Sequence, residues 1–332
     1  MNIDATSTVV AKEEVLDHFK ISSLFIQLQD LKRQQPLGYS YSITEHLFIE
    51  GWNRIIKGEN IEQVAGIITA KALLSITFPG FESGFFKELD LEKDKVTNIL
   101  YGALYQYIKE YEINKNLANL LIDSLHHELG SITEGSITGF TKKLKTEAFQ
   151  EQAPFVYQLV KQPRAGATNP NSSRMLLLPP ESHADHCLVT AVYSVLLAPT
   201  YEADFGTSFL IAMSHHLHNA SLPDMGYAGE MALGDHLQFI LDQSRRKALA
   251  VFPMEFQLKI LDAIYKHEDI SLPEGQASAA ADVSDRVLDI YWRIKATKID
   301  KKQLLDDLEL IHPGPIQHFQ NSFIRSLQLW NR

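Results

Sequence analysis

The stretch His183-Ala-Asp-His-Cys-Leu-Val-Thr-Ala-Val-Tyr-Ser-Val-Leu-Leu197 decides the fold class. Its apolar residues do not alternate as they would in a half-buried strand. They recur at helical spacing, so that His186, Val189, Tyr193 and Leu197 share one stripe. The spacing predicts a helix over 183–198 with His186 turned inward. Outward from this segment the same period recurs almost everywhere. Helices are predicted near 10–32, 42–57, 60–76, 94–112, 114–129 and 135–149, and then near 203–219, 230–248, 254–267 and 276–298, with two more toward the C-terminus. Alternating runs are scarce, so the chain reads as all-α. Pro79, Gly80 and Gly130 mark helix ends. Residues 161–180, KQPRAGATNPNSSRMLLLPP, gather Pro, Gly, Asn and Ser and suit an irregular connector. They divide a helical N-terminal domain, 1–160, to which the sequence assigns no role, from a second domain over 181–332.

With 332 residues and 45% hydrophobic content, the chain exceeds what one ordinary domain needs. A net charge of -10 and a pI near 5.7 oppose a large basic surface, and so oppose nucleic acid or an anionic membrane as the main partner. No apolar run approaches the roughly 18 residues needed to cross a bilayer. The start, MNIDATSTVVAKEEV, lacks the basic-then-apolar order of a signal peptide, so a cytoplasmic protein is expected. Cys187, the one cysteine, cannot form an internal disulfide and reads as a small buried thiol. No glycine-rich phosphate loop and no GxSxG elbow is present, which removes P-loop nucleotide hydrolysis and serine-esterase chemistry.

Chemistry concentrates in the histidines. His183, His186, His215, His216, His218, His236 and His267 are seven of the thirteen. Taken singly, His186 or His267, which continues the stripe Phe256, Ile260, Ala263 and Ile264, is a core imidazole satisfied by a backbone carbonyl. Together they point to metal, because histidines from several helices can converge inside a bundle and neutral imidazole is the commonest transition-metal ligand.

The order of these residues resembles the HD superfamily of metal-dependent phosphohydrolases, whose helical bundle presents a His, then a His-Asp doublet, then a later Asp. His186 opens the pattern, His215-His216 takes the doublet position, and Asp282 in ADVSD closes it. The resemblance is closest to the HD-GYP branch. HHLHNASLPD over 215–224 matches its HDIGKxxIPD in length and ending, ADVSD resembles ADVFD, and KHE at 266–268 resembles HHE. His236 falls where a further ligand histidine is expected. The similarity spans roughly 115 residues. It implies a divalent transition metal (iron, manganese, zinc or nickel) held by His186, His215, His216, His236, His267 and Asp282, and a small phosphorylated substrate hydrolysed by metal-activated water.

Three departures refine this expectation. His216 replaces a carboxylate that could bridge two cations about 3.5–4 Å apart, so one ion is expected. Asn219 replaces a lysine that could neutralise a phosphate. Lys266 replaces a histidine and the GYP triplet is missing, so cyclic-di-nucleotide hydrolysis is not implied. Asp224 and Glu268 are the expected catalytic proton-handling groups, with Glu230 a further candidate. Asp285, one turn from Asp282, can orient a ligand histidine. Arg164 and Arg174 can reach a phosphate from the connector. The alternative from another class is a catalytically inert HD-like sensor or protein-interaction module.

Overall fold

The computed structural model describes residues 18–134, 151–166, 180–267, 269–294, 302, 305 and 310–327. Among them the architecture is all-α, and the only β feature is an isolated bridge between Pro163 and Ser182. The first half contains α1 (His18–Gln29), a 3-10 turn (Asp30–Arg33), α2 (Ile43–Ile56), α3 (Ile61–Thr77), the short α4 (Phe85–Glu88), α5 (Lys93–Glu110), α6 (Lys115–Glu134) and α7 (Pro154–Lys161). Then come α8 (His183–Tyr201), α9 (Phe205–Ser214), a 3-10 turn (Leu217–Ala220), α10 (Gly226–Leu233), α11 (Leu237–Leu249), α12 (Met254–Lys266), α13 (Pro273–Ile294) and α14 (Gln317–Ser326). No helix among the described residues is long and apolar enough to cross a membrane. The helix expected over 135–149 lies outside the described residues.

Helix α8 is the axis of the molecule. Every residue from His183 to Ala198 is buried, as expected of a helix that is apolar on most of its circumference. It packs against α13, α9, α2, α3 and α7. Ser182 starts it with a capping box: its hydroxyl accepts the Asp185 N–H at 3.1 Å while Asp185 accepts the Ser182 N–H at 3.0 Å. Ser42, which caps α2 in the same way, donates to Asp185 at 2.6 Å, and Thr44 donates to the same carboxylate. Two helix starts from opposite halves of the chain are thus tied to each other. Farther along, the Tyr193 ring stacks on Phe25 at 3.7 Å and its hydroxyl donates to the Phe25 carbonyl at 2.5 Å. At the start of α9, a Cβ on Gly206 would stand 2.8 Å from the Glu62 backbone nitrogen, so only glycine admits this approach of α9 to α3. One apolar core accordingly runs from Ile21 to Leu327 on both sides of the 161–180 segment.

Two expected boundaries move. Helix α6 continues through Gly130, where a Cβ would meet nothing. The single helix expected over 230–248 is instead broken at Gly234, whose φ of 51° and ψ of -131° only glycine adopts readily.

Candidate metal centre

His186 sits on the second turn of α8 and is fully buried. Its Nδ1 lies 2.6 Å from the Asp285 carboxylate. A carboxylate accepts, so Nδ1 carries a proton, and in the neutral ring Nε2 then keeps its lone pair. His215 follows the last residue of α9, and its Nδ1 donates to the Ala212 carbonyl at 2.6 Å. A carbonyl can only accept, which fixes the same tautomer and frees the same atom. The two bare Nε2 atoms face each other at 3.1 Å. Asp282 enters from α13. Its Oδ2 accepts from Arg286 at 2.7 Å, while Oδ1 is buried with no hydrogen-bond partner, 3.2 Å from His186 Nε2 and 3.9 Å from His215 Nε2. His216 completes the group, with ligand atoms of all four residues within 4.8 Å of one another. Its Nδ1 lies 3.1 Å from the Asn219 side-chain oxygen.

With both rings neutral in these tautomers, the three lone-pair atoms repel unless a cation lies among them. Ligands at about 2.1 Å from a metal, spread at right to tetrahedral angles, lie about 3.0–3.4 Å apart. The His186–His215 and His186–Asp282 distances fall in that range and the His215–Asp282 distance of 3.9 Å lies beyond it, a wider angle that a metal site still admits, so these residues fit a transition-metal ion. Protonation agrees. Burial, reinforced by His267 and His186, pulls the His215 imidazole well below the usual range, and burial with His215 and His186 does the same to His216. For Asp282 burial acts upward, but Arg286 and the histidines overcome it and hold the carboxyl well below its ordinary value. Neutral imidazoles and an ionised carboxylate are the ligand forms.

An outer layer fixes the ligands. Lys32, from the 3-10 turn after α1, is buried and donates to Asp285 at 2.7 and 2.9 Å and to Glu181 at 2.7 Å. Gln29 donates to Asp285 at 2.8 Å. Asp285 therefore orients His186, as its position one turn from Asp282 led us to expect, but what holds Asp285 comes from the end of the first helix and the turn after it. Glu181, His186 and Asp285 form a second close group, with the Lys32 ammonium already its cation. In the N-terminal half, His46, Glu50 and Glu82 likewise surround Lys71, which is 2.7 Å from Glu50 and also paired with Glu82.

The centre opens on a cavity of about 580 Å³, lined among others by His215, His216, Asp282, Arg164 and Asp224. Of the expected ligands, His186, His215, His216 and Asp282 come together. His267 lines the cavity with its ring 4.7 Å from His215 and its Nδ1 2.8 Å from Ser278 Oγ; it stands beside the four rather than among them. His236 stands apart, exposed on the 3-10 turn Gly234–His236 that the break at Gly234 creates. Asp224 and Glu230 line the cavity. Asp224 accepts the Ala165 and Gly226 N–H groups at 2.7 and 2.9 Å. Glu268 and Arg174 lie outside the described residues. Arg164 reaches the cavity, with Nη1 3.0 Å from Glu181. Cys187 is buried beside the site, its thiol pushed up by burial, and so is inert. Sequence reasoning missed Lys32, Gln29, Glu181 and Arg286. The Ser182-x-x-Asp185 capping box was the one signal that could have located Glu181 at the helix entrance. Comparisons of the chain with family models, with curated proteins and with solved structures return no match.

Proposed function

We propose that this chain is a metal-dependent phosphohydrolase of the HD type, holding one divalent transition-metal ion on His186, His215, His216 and Asp282 and acting on a small phosphate ester or nucleotide. The observation that carries the reading is the partnerless Asp282 Oδ1 facing two bare imidazole nitrogens at the edge of a cavity. Nitrogen-rich ligation favours iron, manganese, zinc or nickel over magnesium. A cation held there supplies acidified water and screens charge on a phosphoryl group.

The chain's own residues supply the rest. The Arg164 guanidinium, half-buried at the cavity wall, binds and orients a phosphate. Asp224 is pulled below its usual range because His183, Arg164 and the two backbone N–H groups outweigh burial, so it is an ionised and anchored acceptor for the proton of the attacking water. Glu230 is a second carboxylate on the same cavity. Glu268 keeps its proposed proton-handling role on its place beside His267 in the sequence alone.

The test is hydrolysis of p-nitrophenyl phosphate. Activity should disappear on chelation, return with manganese, iron or nickel, and be lost in His186→Ala. Hydrolysis indifferent to chelation and to loss of His186 overturns the reading and leaves the inert HD-like module in its place.

A further inference from the structure

Beyond the metal ligands, the same cavity has a second polar corner. Helix α11 turns Leu237, Leu241 and Arg245 toward it at helical spacing, and α11 packs on the 3-10 turn that carries His218. Both polar residues are incompletely satisfied. Arg245 Nη1 donates to Asp242 at 3.1 Å, but its Nε–H is buried with no partner. His218 is 8% exposed and lines the cavity, and its Nδ1 makes no well-formed hydrogen bond, with the His215 carbonyl of its own turn near the ring. Buried polar groups of native proteins are otherwise paired, and a charged donor is the costliest to leave open. Two such atoms on one cavity wall point to a ligand that supplies acceptors.

The corner is close to the metal centre without belonging to it. The His218 ring lies 5.6 Å from that of His216, the outermost of the four grouped residues. A cavity of about 580 Å³ also holds far more than one phosphate group. On the phosphohydrolase reading, the scissile phosphate occupies the end bounded by His215, His216, Asp282 and Arg164, and the rest of the substrate extends toward α11.

We propose that Arg245 and His218 form an anion subsite, so that the preferred substrate is a phosphate ester carrying a second anionic group, as in a diphosphate or a bisphosphate. A guanidinium offers its Nε–H and an Nη–H side by side, which matches two oxygens of such a group. This inference rests on the reading above for the position of the first phosphate, but not for the existence of the subsite.

The experiment measures dissociation constants of orthophosphate and pyrophosphate for the metal-loaded wild type, Arg245→Met, Arg245→Lys and His218→Gln, with circular dichroism to establish folding. Pyrophosphate should bind the wild type at least about tenfold more tightly, since one added charged hydrogen-bond pair is worth about a factor of ten. Arg245→Met and His218→Gln should lose most of that gain and leave orthophosphate within about twofold. Arg245→Lys, which keeps the charge without the Nε–H, should lose most of the gain too. If the wild type does not discriminate, or if the Arg245 and His218 variants leave pyrophosphate binding unchanged, water alone satisfies the corner and the proposal fails; it fails equally if those variants weaken both ligands alike. Should the protein take up no metal while pyrophosphate binding still depends on Arg245, the subsite stands and the phosphohydrolase reading falls.

Discussion

Removing one ammonium tests how the turn after the first helix supports a site more than 140 residues away in sequence. In Lys32→Met the Nζ atom that stands 2.7 Å from both Glu181 and Asp285 is lost. The lysine side chain is 1% exposed, and its two partners 7% and 0%, so water cannot replace the contact. Breaking a buried pair from one side typically costs about 3–5 kcal/mol, because the remaining charge is left uncompensated. Glu181 keeps Arg164 at 3.0 Å, and Asp285 keeps Gln29 and His186, which places the expected loss at the lower end, about 3 kcal/mol. Against a total stability of about 5–15 kcal/mol this leaves a folded but much weaker protein. Urea unfolding of the metal-free protein should show the midpoint falling by about 1 M at an m-value near 3 kcal/mol/M. Adding Asp285→Asn to Lys32→Met should cost less than the sum of the single changes, because a neutral amide no longer needs the ammonium. A single-variant loss under about 1 kcal/mol, or strict additivity in the double variant, refutes the assignment of Lys32 as the buried counter-ion of this layer.

Two further outcomes follow from the same geometry. Asp285→Asn should weaken metal binding about 10–100-fold with all four ligands intact, since the Lys32 and Gln29 donors hold the amide oxygen and turn its NH2 toward His186 Nδ1, disfavouring the ligating tautomer; competition titration against a chromophoric chelator reads this directly, and unchanged affinity would mean that packing alone orients His186. Burial first, with Arg164 and Arg245 next, pushes His183 and His218 down to about 3, so both are neutral in the folded protein, whereas in the unfolded chain each titrates near 6.5. Below that value the unfolded chain binds protons that the native state refuses, so stability of the metal-free protein should be level above pH 6.5 and fall toward pH 3 by as much as about 1.4 kcal/mol per pH unit per ring; His183→Gln should remove part of that slope in urea midpoints measured between pH 7.5 and 5, and an identical slope would show that His183 titrates normally.

The helical period made most of the elements legible, because apolar stripes such as His186, Val189, Tyr193 and Leu197 are a direct consequence of burying one face. The centre was legible to the extent that its members lie on such stripes or in the ordered pattern, as His186, His215, His216 and Asp282 do, and Asp285 was reachable because one helical turn brings it beside Asp282. Lys32 and Arg286 were not, since a buried lysine or arginine has the same sequence signature as a solvated one and only tertiary contact reveals its partner. His236 illustrates the opposite error. The resemblance expects a ligand histidine there, whereas the helix expected over 230–248 breaks at Gly234 and His236 is exposed. The bare corner at Arg245 and His218 carried no sequence signal, because an unsatisfied donor is a property of packing.

We propose that two imidazole nitrogens and one carboxylate oxygen enclose a cation. Anomalous-difference density from crystals grown with manganese or zinc tests it most directly. One peak is expected within about 2.0–2.3 Å of His186 Nε2, His215 Nε2 and Asp282 Oδ1, absent in Asp282→Ala crystals grown in the same way. A wild-type structure with no peak there, or with its metal bound only at surface carboxylates, would contradict it.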